Sequence, residues 1–226
     1  MMLVDFDRTV HDPCPETKPM KKDYDALRRP IFGKKGNAML DQFTIRREDM
    51  PTEMQSLLRT YPRDTWDAHP GFREKTRHWL GAHRMFRQLS ASVRKDAEHF
   101  LDGDQDANDF AGRLSYRGGA LVGNLQGHHG WEDRSYFPEL SEADPRFDAG
   151  LEVLEKDHAD LDHVLDSFTR TANRTIKLIQ LDETAARTEA GKLHAVTQTI
   201  EAFLKRHLTD EEELAVPIIL HHRLRG

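Results

Sequence analysis

The chain has 226 residues, 37 % of them hydrophobic and 32 % charged, with a formal net charge of −6. This length suits one large domain with a substantial core; no run of about 18 apolar residues offers a bilayer span, and the acidic balance argues against nucleic acid as the main partner. The single cysteine, Cys14, excludes an intramolecular disulfide and a thiolate cluster, so any metal must be held by nitrogen and oxygen.

The opening MMLVDFDRTVHDP is acidic and lacks a basic stretch followed by a long apolar one, so no cleaved export signal is expected and a cytoplasmic setting is. Prolines at 13, 15, 19, 30, 51, 62 and 70 punctuate residues 1–70, which read as an irregular N-terminal arm packing on or near the rest. Its one short helical candidate is PTEMQSLLRT, residues 51–60. Within the arm, LVDFDRTV (3–10) mimics the Asp-x-Asp-x-Thr loop of haloacid-dehalogenase-type phosphatases, but neither the buried strand before it nor the α/β sheet after it is present. KPMKKDYDALRRPIFGKKG (18–36) holds seven Lys and Arg and reads as a solvated segment lying on an acidic body.

From residue 71 to 226 the pattern is helical. Apolar residues at Trp79, Phe86, Leu89 and Val93 recur at three- and four-residue spacing, which predicts an amphipathic first helix ending before GDQD. A second helix runs from about 106 to 138. Asp144 as a cap and Pro145 at the first helical position predict the start of a third, with a stripe of Leu151, Leu154, Leu161, Leu165 and Phe168. A fourth begins after Asp182 and runs through Ile200, Phe203 and Leu204 towards Pro217. Helices of roughly 30 residues joined by short links make an all-α, up-down-up-down four-helix bundle.

Two stretches of this bundle share a pattern: HHGWEDRSYFP (128–138) and HLTDEEELAVP (207–217). His128 and His207 each have a Glu at +4, Glu132 and Glu211, and a Pro at +10. Four residues of α-helix advance the direction by about 40° beyond one turn and rise about 6 Å, so each pair presents two donors on one face. His83 and His158 lie on the apolar stripes of the first and third helices. His83 precedes His128 by 45 residues and His158 precedes His207 by 49, so the bundle reads as two similar helical hairpins. Four imidazoles and two carboxylates suit iron, manganese or zinc rather than calcium or magnesium.

The order His, His-x-x-x-Glu, His, His-x-x-x-Glu on successive helices resembles the hemerythrin-like, HHE cation-binding family, over about residues 75–220. HHGWEDRSYFP and HLTDEEELAVP resemble its second and fourth helices, and KDHADLDHVL its third. The resemblance implies a non-heme diiron centre held by His83, His128, Glu132, His158, His207 and Glu211, with two iron ions joined by an oxo or hydroxo bridge and manganese or zinc as alternatives. It implies a protein that binds or reacts with O2, peroxide or NO. Oxygen-carrying hemerythrins have a further His on the third helix and an Asp on the fourth; Asp162 and Glu211 stand there, which favours the hemerythrin-like branch over simple O2 carriage.

Several neighbours compete for roles. His78 rivals His83 but lies off the stripe. His129 points about 100° from His128 and is expected either behind the ligands or at the surface, while Asp162 or His163 is expected to bond a ligand from behind. Tyr136 is expected in the core. His194, His221 and His222 have no acid at helical spacing. Glu155 with His158 matches the Glu-x-x-His motif of ferritin-like bundles only once, where two copies are needed. Two other functions compare with O2, peroxide or NO binding: a diiron oxidase or oxygenase acting on a small substrate, and a structural or zinc bundle. The first requires a pocket beside the metals, which the arm would cover unless it serves instead as a dimerisation element of a homodimer.

Overall fold

The structure, a computed structural model, describes Arg46 and residues 50–224. LVDFDRTV, the basic segment 18–36 and Cys14 lie outside the described residues. Among the described residues there is no strand. The four long helices are α1 (Glu74–Asp102), a rod comprising α2 (Ala107–Arg113), α3 (Gly119–Trp131) and α4 (Phe137–Ala143), then α5 (Asp148–Ile179) and α6 (Glu183–His222). Within the rod the chain stays helical through two π turns, Leu114–Gly118 and Glu132–Tyr136.

The ends of these helices follow local chemistry where nothing stronger intervenes. Gly103, at φ 83°, closes α1: its N–H bonds the Phe100 carbonyl while the next N–H, of Asp104, reaches back to His99. Asp106 caps α2 by accepting from the N–H groups of Asn108 and Asp109. Asp182 caps α6 through the N–H of Ala185, as its sequence predicts.

Three boundaries differ from expectation. Asp144 caps nothing; its carboxylate is drawn to Arg146 and to His222 Nε2 at 2.8 Å, Pro145–Phe147 form a 3₁₀ turn, and α5 starts at Asp148. The second rod runs five residues past Pro138. This proline lacks the N–H that would bond the Arg134 carbonyl, and the wider π turn just before it spreads the backbone there. Helix α6 continues through Pro217 to His222. An interior proline costs about 3 kcal/mol, but Ile218, Ile219 and Leu220 behind it are all buried, each contributing roughly 1.5–3 kcal/mol. In the arm, the 51–60 candidate becomes a single 3₁₀ turn, Ser56–Arg59.

The core is two apolar clusters. One gathers Phe86, Phe100, Phe110, Leu125, Leu161, Phe168, Leu193 and Phe203. The other gathers Trp79, Leu80, Tyr136, Phe137, Leu151, Leu154, Leu214, Val216, Ile218, Ile219 and Leu220, together with Met50, Trp66 and Phe72 from the segment before α1. On every long helix the cluster boundary falls at the same place: between residues 80 and 86, 125 and 136, 154 and 161, and 208 and 214. Sequential helices therefore run in opposite directions, and the polar residues at these boundaries form one buried band across the middle of the bundle.

Candidate metal centre

The band contains all six residues expected as metal ligands. His83, Glu132, His207 and Glu211 are fully buried, His158 is 2 % exposed, and His128 is nearly buried. Their donor atoms form three overlapping groups, each within 4.8 Å: His83, His128 and Glu132; Glu132, His158 and Glu211; and His129, His158 and His207.

Each helix delivers its donors by simple register. His128 Nε2 stands 2.9 Å from Glu132 Oε1, one turn away on the same helix, and 2.9 Å from His83 Nε2 on α1. The other Glu132 oxygen, Oε2, is 3.7 Å from His158 Nε2 on α5. Glu211 Oε2 lies 3.5 Å from His83 Nε2 and 3.8 Å from His207 Nε2. Both glutamates thus stand between the two halves of the cluster, Glu132 with one oxygen towards each.

Behind three imidazoles sit acids that sequence reasoning missed. His83 Nδ1 meets Glu212 Oε1 at 3.0 Å, His158 Nδ1 meets Asp133 Oδ1 at 2.7 Å, and His207 Nδ1 meets Asp157 Oδ2 at a longer 3.4 Å. A carboxylate only accepts, so the imidazole proton sits on Nδ1 and the Nε2 lone pair is left facing the cluster. Arg87 and Arg63 bond Glu212, and Arg46 and Arg206 bond Asp157, keeping these acids ionised. The Trp79 indole donates to Glu132 Oε1 at 2.6 Å. The missing signal was faint: each acid directly flanks a candidate ligand of its own helix, yet serves the histidine of another.

The inner atoms are left without partners. His158 Nε2, His207 Nε2, Glu132 Oε2, both oxygens of Glu211 and both nitrogens of His129 are buried and make no hydrogen bond. Burial pushes His207 down to about 4. Burial, with His158 and His207 beside it, holds His129 well below the imidazole range. Burial alone would raise Glu132, but the His128 and His83 imidazoles beside it overcome it and hold this carboxyl well below its usual range. Burial and the Glu132 charge push Glu211 well above. The depressed imidazoles of His129 and His207 beside two carboxylates, only one of which sheds its proton readily, make a site that a cation would relieve.

A model of the Hemerythrin HHE cation binding domain matches residues 74–222. The chain belongs to the hemerythrin HHE cation-binding family. No curated protein and no solved structure matches it.

Within this hemerythrin HHE domain the structure corrects the placing of several side chains. His129 is buried, 4 % exposed, and its ring stacks on His158 at 4.0 Å with 6° between planes. The core-facing stripe of a helix is at least about 100° wide, so adjacent residues of the second rod serve different neighbours: His128 faces α1, and His129 faces α5 and α6. Asp162 and His163 are exposed, and the supporting role expected of them falls to Asp133, Asp157 and Glu212. His78 is exposed and Glu155 is in none of the three donor groups. Tyr136 is in the core as expected, with a hydroxyl that has no partner; burial, then the charges of Glu211 and Glu132, hold this phenol well above its ordinary range. His194 and His222 do have acids, Glu98 at 3.0 Å and Asp144 at 2.8 Å, on other parts of the chain. No helix among the described residues is long and apolar enough to cross a membrane.

Proposed function

We propose that the chain holds two metal ions, iron in the cell, and that it binds or reacts with O2, peroxide or NO. The observation that carries this reading is the set of orphaned inner atoms. Leaving one buried polar atom unpaired costs roughly 1–3 kcal/mol, so the seven around the cluster would cost on the order of 10 kcal/mol, comparable to the whole stability of a domain. A cation pair would satisfy five of them, the inner nitrogens of His158 and His207 and the carboxylate oxygens of Glu132 and Glu211, and at most one nitrogen of His129. In this reading His83 and His128 serve one ion, His158 and His207 the other, and Glu132 and Glu211 both.

A bound iron pair supplies one-electron redox chemistry and open positions for a small ligand. The chain supplies the rest. Glu212, Asp133 and Asp157 fix the imidazoles and make them better donors. The two apolar clusters exclude water from either side. Tyr136 keeps its proton, and its free hydroxyl is available to donate beside Glu132 and Glu211. Residues 1–70 are an extension to the bundle of residues 71–226, a reading supported by the bonds from Arg46 and Arg63 to Asp157 and Glu212. A single cysteine, which can form no intramolecular disulfide, suits a cytoplasmic setting.

The test is metal content and an optical spectrum of protein from iron-supplemented cells, before and after anaerobic reduction and return to air. About two irons per chain are expected, with near-ultraviolet bands that bleach on reduction and come back in air. One zinc, or an intact fold that takes up no metal, would overturn the reading.

A further inference from the structure

We infer that the cavity beside this cluster is a binding site for a small aromatic amine. The inference rests on the two-metal reading and deepens it by giving the centre an organic ligand. The cavity measures about 560 Å³, and Trp79, Ala82, His128, Trp131 and Tyr136 line it. A water takes about 30 Å³ of liquid volume, so a passage for a diatomic gas needs far less, whereas small organic ligands occupy pockets of roughly 300–1,000 Å³.

The cavity reaches the cluster directly. His128 is in its wall, and Trp79, also in its wall, bonds Glu132. Its aromatic lining is continuous: Trp131 stacks on Tyr136 with ring centres 4.9 Å apart, and Tyr136 lies 5.4 Å from Trp79. Trp131 remains 45 % exposed, an uncommon state for so large an apolar side chain unless something covers it. An adjoining hollow of about 540 Å³ shares Glu74, His78 and Ala82 and is bordered by Met85, itself 39 % exposed. Half of the four large exposed hydrophobics among the described residues therefore border this one region of α1 and α3.

The charge of the ligand follows from the rim and the walls. Glu74 and Glu139 outnumber Lys75 around the cavity itself, Arg77 and Arg84 bordering only the adjoining hollow, and the faces of tryptophan and tyrosine attract cations. A planar ring carrying an ammonium group matches both: the ring lies on Trp131 and the charge lies near the carboxylates.

The test uses the full chain loaded with iron and three probes of similar shape: benzylamine, benzyl alcohol and benzoate. Binding is followed by calorimetry and tryptophan fluorescence, and the distance to the iron by broadening of the probes' ring-proton resonances. Benzylamine should saturate and bind about tenfold tighter than benzoate, with benzyl alcohol between, and its ring protons should broaden. Ala82→Trp, which fills the cavity, and Trp131→Ala, at the surface, should each weaken benzylamine about tenfold or more while iron content stays the same; if Ala82→Trp does not fold, Trp131→Ala decides. Absence of saturation, preference for benzoate, unbroadened ring protons or wild-type affinity in the variants would each overturn the inference. A chain that holds iron but ignores benzylamine refutes the cavity's role alone. A chain that takes up no iron yet binds benzylamine through Trp131 refutes the metal reading alone.

Discussion

Asp133 accepts the Nδ1–H of His158 at 2.7 Å across 25 residues of sequence, from the helix that also carries Glu132. The bond fixes which nitrogen of His158 faces the centre, and the carboxylate makes that nitrogen more basic. Replacing such an outer partner costs about 10–100-fold in metal affinity. Asp133→Asn should show this loss in competition with a chelator. Because the Asp133 side chain is 38 % exposed, the melting temperature of the metal-free chain should barely move. Unaltered affinity would mean that the imidazole is held by packing alone.

His129 offers a second, independent check. With neither ring nitrogen partnered and with His158 stacked on it, it is placed to complete the half of the cluster that His158 and His207 define. His129→Gln should retain about one tightly held iron instead of two, measured by metal analysis after gel filtration. Two irons held with wild-type affinity would reduce His129 to a packing residue.

The acid side of the stability curve should carry the signature of His207. Its folded pKa is lowered to about 4 from the ordinary 6.5, so between these values the unfolded chain binds more protons than the folded one. Its contribution is therefore complete above pH 6.5 and is lost as pH falls towards 4, by on the order of 3 kcal/mol. The raised carboxyl of Glu211 acts in the opposite direction, so the comparison that isolates His207 is wild type against His207→Gln, both metal-free, in urea titrations across this range. The wild type should lose more stability than the variant. Parallel curves would contradict the neutral, buried imidazole.

Gly103 tests the fold away from the centre. A β-carbon there would meet nothing within 4 Å, so Gly103→Ala should report only the left-handed backbone that ends α1. The expected cost is about 1 kcal/mol, or roughly 2–4 °C in melting temperature for a domain of this size. No shift would show that the turn rearranges.

What the sequence made legible followed from intervals within one helix. Four-residue spacing put His128 with Glu132 and His207 with Glu211, apolar stripes placed His83 and His158, and Asp182 marked the start of α6. What stayed hidden depended on other helices. Asp144 has the right chemistry for a cap, but Arg146 and His222 compete for its oxygens. Pro217 is a stop signal overridden by the buried residues after it. His129 looked turned away because its direction was judged against one neighbouring helix, whereas its own helix faces two. Glu212, Asp133 and Asp157 each support an imidazole on a different helix, which no interval along the chain reveals.

The polar band between the two apolar clusters also shapes how the bundle comes apart. Each cluster is an oily core of its own, one sealed by the segment before α1 and the other by the phenylalanines near the α1–α2 turn. Between them the metal-free chain combines cross-helix bonds such as His83–Glu212 and His158–Asp133 with buried atoms that have no partner, so the join is less favourable than either core. The proposed cation pair, held by residues of all four helices, would act as a rivet through this waist, and the two ends should open more cooperatively with it than without it.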